Sequence, residues 1–116
     1  PYVPAINDLA IGFLADMGVA TIARSEVTET LGNDGQGALD PQAVFTLGLR
    51  ADHPQAEVIV LSCTDMRCVE IIAALEAKLG KPVVTSNQAM LFEALQLLEL
   101  PDTLPGYGRL LKGTSL

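Results

Sequence analysis

Positive charge is scarce in this sequence: seven lysines and arginines face fourteen aspartates and glutamates, for a net charge of −7. That balance argues against nucleic acid or an anionic membrane surface as a partner. Histidine occurs once and cysteine twice, at Cys63 and Cys68. Two cysteines five positions apart match neither a disulfide framework nor a zinc site. No other metal-ligand cluster is visible, so no metal is expected. Long apolar runs are missing as well. Although 49% of the residues are hydrophobic, no segment reaches the length of a membrane span, and no cationic leader precedes an apolar stretch. A reducing cytoplasm is the expected location. There are no internal repeats or low-complexity segments, and 116 residues allow one domain with a modest core.

What is present centres on Glu57 to Arg67. Val58 to Leu61 is a continuous apolar run, as in a strand buried on both faces. It breaks into Ser62-Cys63-Thr64-Asp65, small or polar residues whose side chains can donate, accept or attack. From Met66 to Leu79 the pattern turns helical, with Val69, Ile72, Leu75 and Leu79 on one stripe, and Gly80 stands where a left-handed cap ends a helix. A turn at the carboxyl end of a buried strand is where open α/β sheets bind ligands. Cys63 just ahead of a helix would have its thiolate favoured by unpaired N–H groups and the helix dipole. An ordinary small buried cysteine is the competing reading.

Along the rest of the chain, Val3 to Met17 reads as an amphipathic helix with Ile6, Leu9, Ala10, Phe13, Leu14 and Met17 on one face. Val19 to Ala23 is an expected strand, and Ser25 to Leu39, with three glycines, an expected loop. Asp40-Pro41 starts a helix that stops before Pro54. Pro82 to Thr85 is a third strand, and Ser86-Asn87 caps a last helix from Gln88 to about Leu98. Gly113 to Leu116 is expected to fray. Glu70, Glu76 and Lys78 read as a solvated helix face, and His53 as a surface cap. The order α-β-α-β-α-β-α implies an α/β fold, a small three-layer domain with a short parallel sheet. Its carboxyl edge collects the loop and the turns at Ser62 and Ser86. Helix starts there bind anions, and Ser62, Thr64, Ser86 and Asn87 add donors, giving a carboxylate-binding rim around Cys63.

Ser62-Cys63-Thr64-x-x-Arg67 after a buried strand resembles the second active-site segment of the aspartate/glutamate racemase superfamily, in the branch of maleate cis-trans isomerases and arylmalonate decarboxylases. The likeness runs on through Leu75 to Ala89, takes in Pro1-Tyr2, and includes Gly106-Tyr107-Gly108-Arg109-Leu110-Leu111. It corresponds to the C-terminal half of such an enzyme. The resemblance implies a flavodoxin-like domain, one half of a pseudo-symmetric two-domain fold, with strand 1 at the centre of its sheet. Residues 1–100 would form this second domain and residues 101–116 a tail packing back toward a missing N-terminal domain. A start at Pro1 is then read as that of a fragment. Homo-oligomerisation is a further expectation from the family.

The resemblance also implies cofactor-independent isomerisation of a small, maleate-like dicarboxylate, in a site shared by two similar domains. Cys63 stands where the second-half cysteine belongs, as general acid/base, with the nucleophilic cysteine on the other half. Tyr2 matches a substrate-binding tyrosine and Asn33 a carboxylate-binding asparagine, within a glycine-rich stretch that departs from the pattern. Substrate contacts are expected from Tyr2, Asn33, Ser62, Thr64, Asp65, Ser86 and Asn87. Cys68 replaces a threonine in Cys-Thr-x-x-Arg-Thr and reads as core. Arg67 reads as holding the turn or a subunit contact. Decarboxylation of an arylmalonate and racemisation of an amino acid are the enzymatic alternatives; a carboxylate-binding or partner-binding half-module is the non-enzymatic one.

Overall fold

Residues 1–113 are described by a computed structural model. Two prolines frame the first helix region, and α1 runs from Pro4 to Asp16 with Pro4 in its first turn. Then come α2 (Gly32–Ala38), α3 (Pro41–Ala51), β1 (Ile59–Leu61), α4 (Ile72–Leu79), β2 (Val83–Thr85) and α5 (Ser86–Leu97). Strands β1 and β2 pair in parallel, Ile59 beside Val83 and Leu61 beside Thr85, with α4 as the crossover. The expected α/β class with a short parallel sheet is present. Because Leu61 and Thr85 are in register, the turns that follow the two strands leave the sheet side by side.

The core collects Val44 from α3, Ile59 and Leu61 from β1, Ile72 and Leu75 from α4, and Val83 from β2. Gly48 lets α3 approach α4: a Cβ there would lie 2.5 Å from the Leu75 side chain. The Asp40 carboxylate accepts the Ala43 N–H at 2.7 Å, as its N-cap position requires, and Gly80 closes α4 at φ 70°.

Four expectations are corrected. Val19 to Ala23 is not a strand; an extended apolar segment becomes one only when its backbone finds a partner. Here its first residue is held by Val19 N–H on the Leu14 carbonyl, and the chain beyond it by Val27 N–H on the Tyr2 carbonyl. A cleft of about 490 Å³, lined by Ala20, Ile22, Val58 and Val60, opens between it and β1. The sheet therefore has two strands rather than three. The Ser25 to Leu39 loop contains α2, a seven-residue helix formed despite its glycines. The helix expected from Met66 starts instead at Ile72. Met66, Cys68 and Ile71 are all buried, and anchoring these three to the core holds residues 62–71 in bends and turns that a regular helix would not allow.

Glu76 is the fourth. Placed by pattern on a solvated face, it is only 4% exposed. Its Oε1 accepts the Val83 N–H at 3.0 Å and the Arg109 N–H at 2.9 Å, which explains how a carboxylate tolerates burial. The same contacts seat the C-terminal turn against this domain. Gly108, at φ 82°, has no room for a Cβ between Ile72 and Gln88, and Leu111 is buried. The expected fraying lies, beyond Gly113, outside the described residues.

Helix α1 departs from simple amphipathicity. Asn7, Ala10, Ile11 and Leu14 are half-buried, while Leu9 and Phe13 stand 72% and 65% exposed beside Ile6 and Met17. It is apolar on two sides. Among the described residues no helix is long and apolar enough to cross a membrane.

Candidate active site

Cys63 lies two residues past β1 and is 3% exposed. With α4 beginning at Ile72, the helix expected to follow directly on Cys63 does not, and the α4 dipole expected to favour its thiolate is absent from this turn. Its neighbours are side chains instead. The Cys63 thiol donates to Gln36 Oε1 at 3.3 Å, across twenty-seven positions of sequence. From the other end of the chain comes Tyr2, packed against the core cluster that holds Cys63. Burial first, then the proximity of Cys63 and of the Asp65 carboxylate, push the Tyr2 phenol up to about 12. It stays protonated, a donor, throughout the physiological range.

The second turn is built differently. β2 runs straight into α5, and Thr85 rather than Ser86 or Asn87 is the cap. The Thr85 hydroxyl accepts the Gln88 N–H at 3.2 Å while Gln88 Oε1 accepts the Thr85 N–H at 2.9 Å, a reciprocal capping box legible in the spacing Thr85-x-x-Gln88. Ser86 and Asn87 thus occupy the first turn of α5. Asn87 Nδ2 donates to the Thr64 carbonyl at 3.0 Å, joining this helix start to the residue after Cys63. Gln88 Nε2 reaches the Tyr107 carbonyl at 2.5 Å.

Of the expected site residues, Tyr2, Cys63 and Asp65 come together, and Thr64 and Asn87 are linked beside them. Ser62 is exposed and faces the cleft along β1; Ser86 is half-buried at the foot of α5. Asn33 is exposed on α2, one turn before Gln36, and no hydrogen bond joins it to the Cys63 turn. Gln36 was not anticipated, because a stretch read as a loop gives no helical face on which to place it.

Cys68 is buried, and burial together with the nearby Cys63 pushes its thiol up to about 11. Arg67 pairs with Glu70 at 2.7 Å and so holds the turn. Among the described residues, no three His, Cys, Asp or Glu side chains gather as a metal ion would need. A thiol able to give or take a proton, a phenol donor, and neutral donors at a helix start form a site suited to a small carboxylate.

This combination has known counterparts. Residues 1–111 match the family described as arylmalonate decarboxylase. The chain belongs to that family. It is 30% identical to a maleate isomerase of Pseudomonas putida, over 97% of this chain and 45% of that protein. It is equally 30% identical to an arylmalonate decarboxylase of Bordetella bronchiseptica, over 94% of this chain and 46% of the other. Its fold superposes with a TM-score of 0.87, at 25% identity, on the solved maleate cis-trans isomerase of Nocardia farcinica, a Cys-to-Ser mutant with a covalently bound succinylcysteine intermediate. That match covers 99% of this chain and 47% of the other. The chain spans about half the length of the curated relatives it matches. The resemblance of the Cys63 segment is thus borne out at the level of family, whose members named here include both isomerases and a decarboxylase.

Proposed function

We propose that this chain supplies one half of the active site of a cofactor-independent cis-trans isomerase of a small dicarboxylate such as maleate. The observation that carries the reading is the convergence of Tyr2 and Cys63, sixty-one positions apart, at the carboxyl end of β1. A thiolate from the other half would add to one alkene carbon, and the C=C electron pair would move toward the adjacent carboxylate. Cys63 would then give its proton to the second carbon, leaving a single bond free to rotate. Return of that proton to the Cys63 sulfur and departure of the first thiolate regenerate both groups and the trans product. Tyr2, Asn33, Ser62, Thr64, Ser86 and Asn87 are assigned to the substrate, with neutral donors binding its carboxylates and Asp65 holding the Tyr2 end of the site. The outward apolar face of α1, with Leu9 and Phe13, supports packing against a further domain. The two free, buried thiols support a reducing, cytoplasmic location.

In the full-length protein, C63S is expected to abolish conversion of maleate to fumarate, followed by proton NMR, while circular dichroism stays unchanged. Residues 1–116 alone are expected to show negligible turnover. Parental activity in C63S would sink the assignment. The equal identity to a decarboxylase favours one alternative, loss of carbon dioxide from an arylmalonate with Cys63 protonating the resulting carbanion. Carbon dioxide release from phenylmalonate, with no action on maleate, would select it.

A further inference from the structure

We propose that Gln36 is a positioning residue for Cys63, its side-chain carbonyl holding the proton on the sulfur so that Cys63 stands loaded as a proton donor. The inference rests on the acid/base role given to Cys63 above. Gln36 is half-buried, between Gly35 and Gly37, which crowd it with no side chains of their own. A Cβ at Gly37 would lie 3.6 Å from the Asp65 carbonyl, so the last turn of α2 rests directly on the turn that carries Cys63. The Leu39 N–H bonds back to the Gln36 carbonyl, and Leu39 packs against the core just before the Asp40 cap of α3. The backbone of Gln36 is thus fixed from both sides, and Oε1 sits 3.3 Å from the sulfur.

Gln36 and Tyr2 are complementary. A carbonyl oxygen can only accept, so it stabilises the S–H form; a protonated phenol can donate, so Tyr2, packed against the same cluster, is suited to stabilise the thiolate left behind. When Cys63 gives up its proton, the electron pair of the S–H bond stays on sulfur, the bond to Gln36 is lost and the thiolate becomes an acceptor for the Tyr2 phenol. The other titratable groups around the sulfur are Tyr2, Asp65, Cys68 and the Pro1 amine.

The test is the pH dependence of Cys63 alkylation by iodoacetamide in the full-length protein, located by mass spectrometry. Q36E places a carboxylate at the same distance and is expected to raise the midpoint by about one pH unit or more, a tenfold slower alkylation below it. D34N, an exposed charge change on the same helix, is expected to leave the midpoint in place. Q36M, similar in shape but without an acceptor, is expected to lower kcat by about tenfold with KM little changed. An unmoved midpoint in Q36E, an equal shift in D34N, or parental kcat in Q36M would each overturn the role. The titration needs no substrate, so it reports on Gln36 even if C63S retains activity and the isomerase reading itself fails.

Discussion

Glu76 offers the sharpest test of how this fold is held together. Its carboxylate accepts Val83 N–H at 3.0 Å and Arg109 N–H at 2.9 and 3.1 Å, joining α4, the start of β2 and the C-terminal turn. E76L keeps most of the bulk but leaves two backbone donors without an acceptor at a site closed to water. Each unpaired donor costs about 1–3 kcal/mol, and leucine returns roughly 1 kcal/mol through apolar burial, so the net loss is about 1–5 kcal/mol. E76Q retains one carbonyl oxygen and loses the charge, for about 1–2 kcal/mol. Against the ~5–15 kcal/mol typical of a domain, the leucine change is severe. Urea denaturation followed by circular dichroism reads both. E76L within about 0.5 kcal/mol of the parent, or no less stable than E76Q, would refute the view that the carboxylate is buried to satisfy those N–H groups.

Two further outcomes follow from the core. Cys68 has its thiol raised to about 11 in the fold, so the folded state binds the proton more tightly than the unfolded chain. That contribution is fully present below the unfolded thiol value near 9 and is lost as pH rises through about 11, by up to about 3 kcal/mol. C68V should remove its share of the alkaline loss; an identical pH profile in C68V would contradict the assignment. G48A should destabilise by about 1–2 kcal/mol, because overpacking against Leu75 outweighs the helix propensity gained. A rise in Tm would show that Leu75 can move aside.

The sequence by itself determined whatever depends on near neighbours. The apolar run at Ile59 to Leu61 produces a strand, though one buried only on the Ile59 and Leu61 face and not on both faces as expected, with Val60 exposed. Asp40-Pro41 and Gly80 bound their helices, and Thr85-x-x-Gln88 carries its capping box within four residues. The Cys63 motif was legible because it is short and follows directly on its strand. Tertiary structure decided everything that joins distant residues. Whether Val19 to Ala23 becomes a strand depends on a partner edge, which no local pattern supplies, and here a cleft lies between it and β1. Where α4 begins depends on which of Met66, Cys68 and Ile71 the core accepts. Glu76 has the spacing of a surface residue, and only the backbone N–H groups of Val83 and Arg109 make its burial tolerable. The surroundings of Cys63 were settled in the same way. Their character comes from Gln36 and Tyr2, which reach the sulfur from twenty-seven and sixty-one positions away, because a proton-transfer site depends on distances in space that spacing along the chain does not encode.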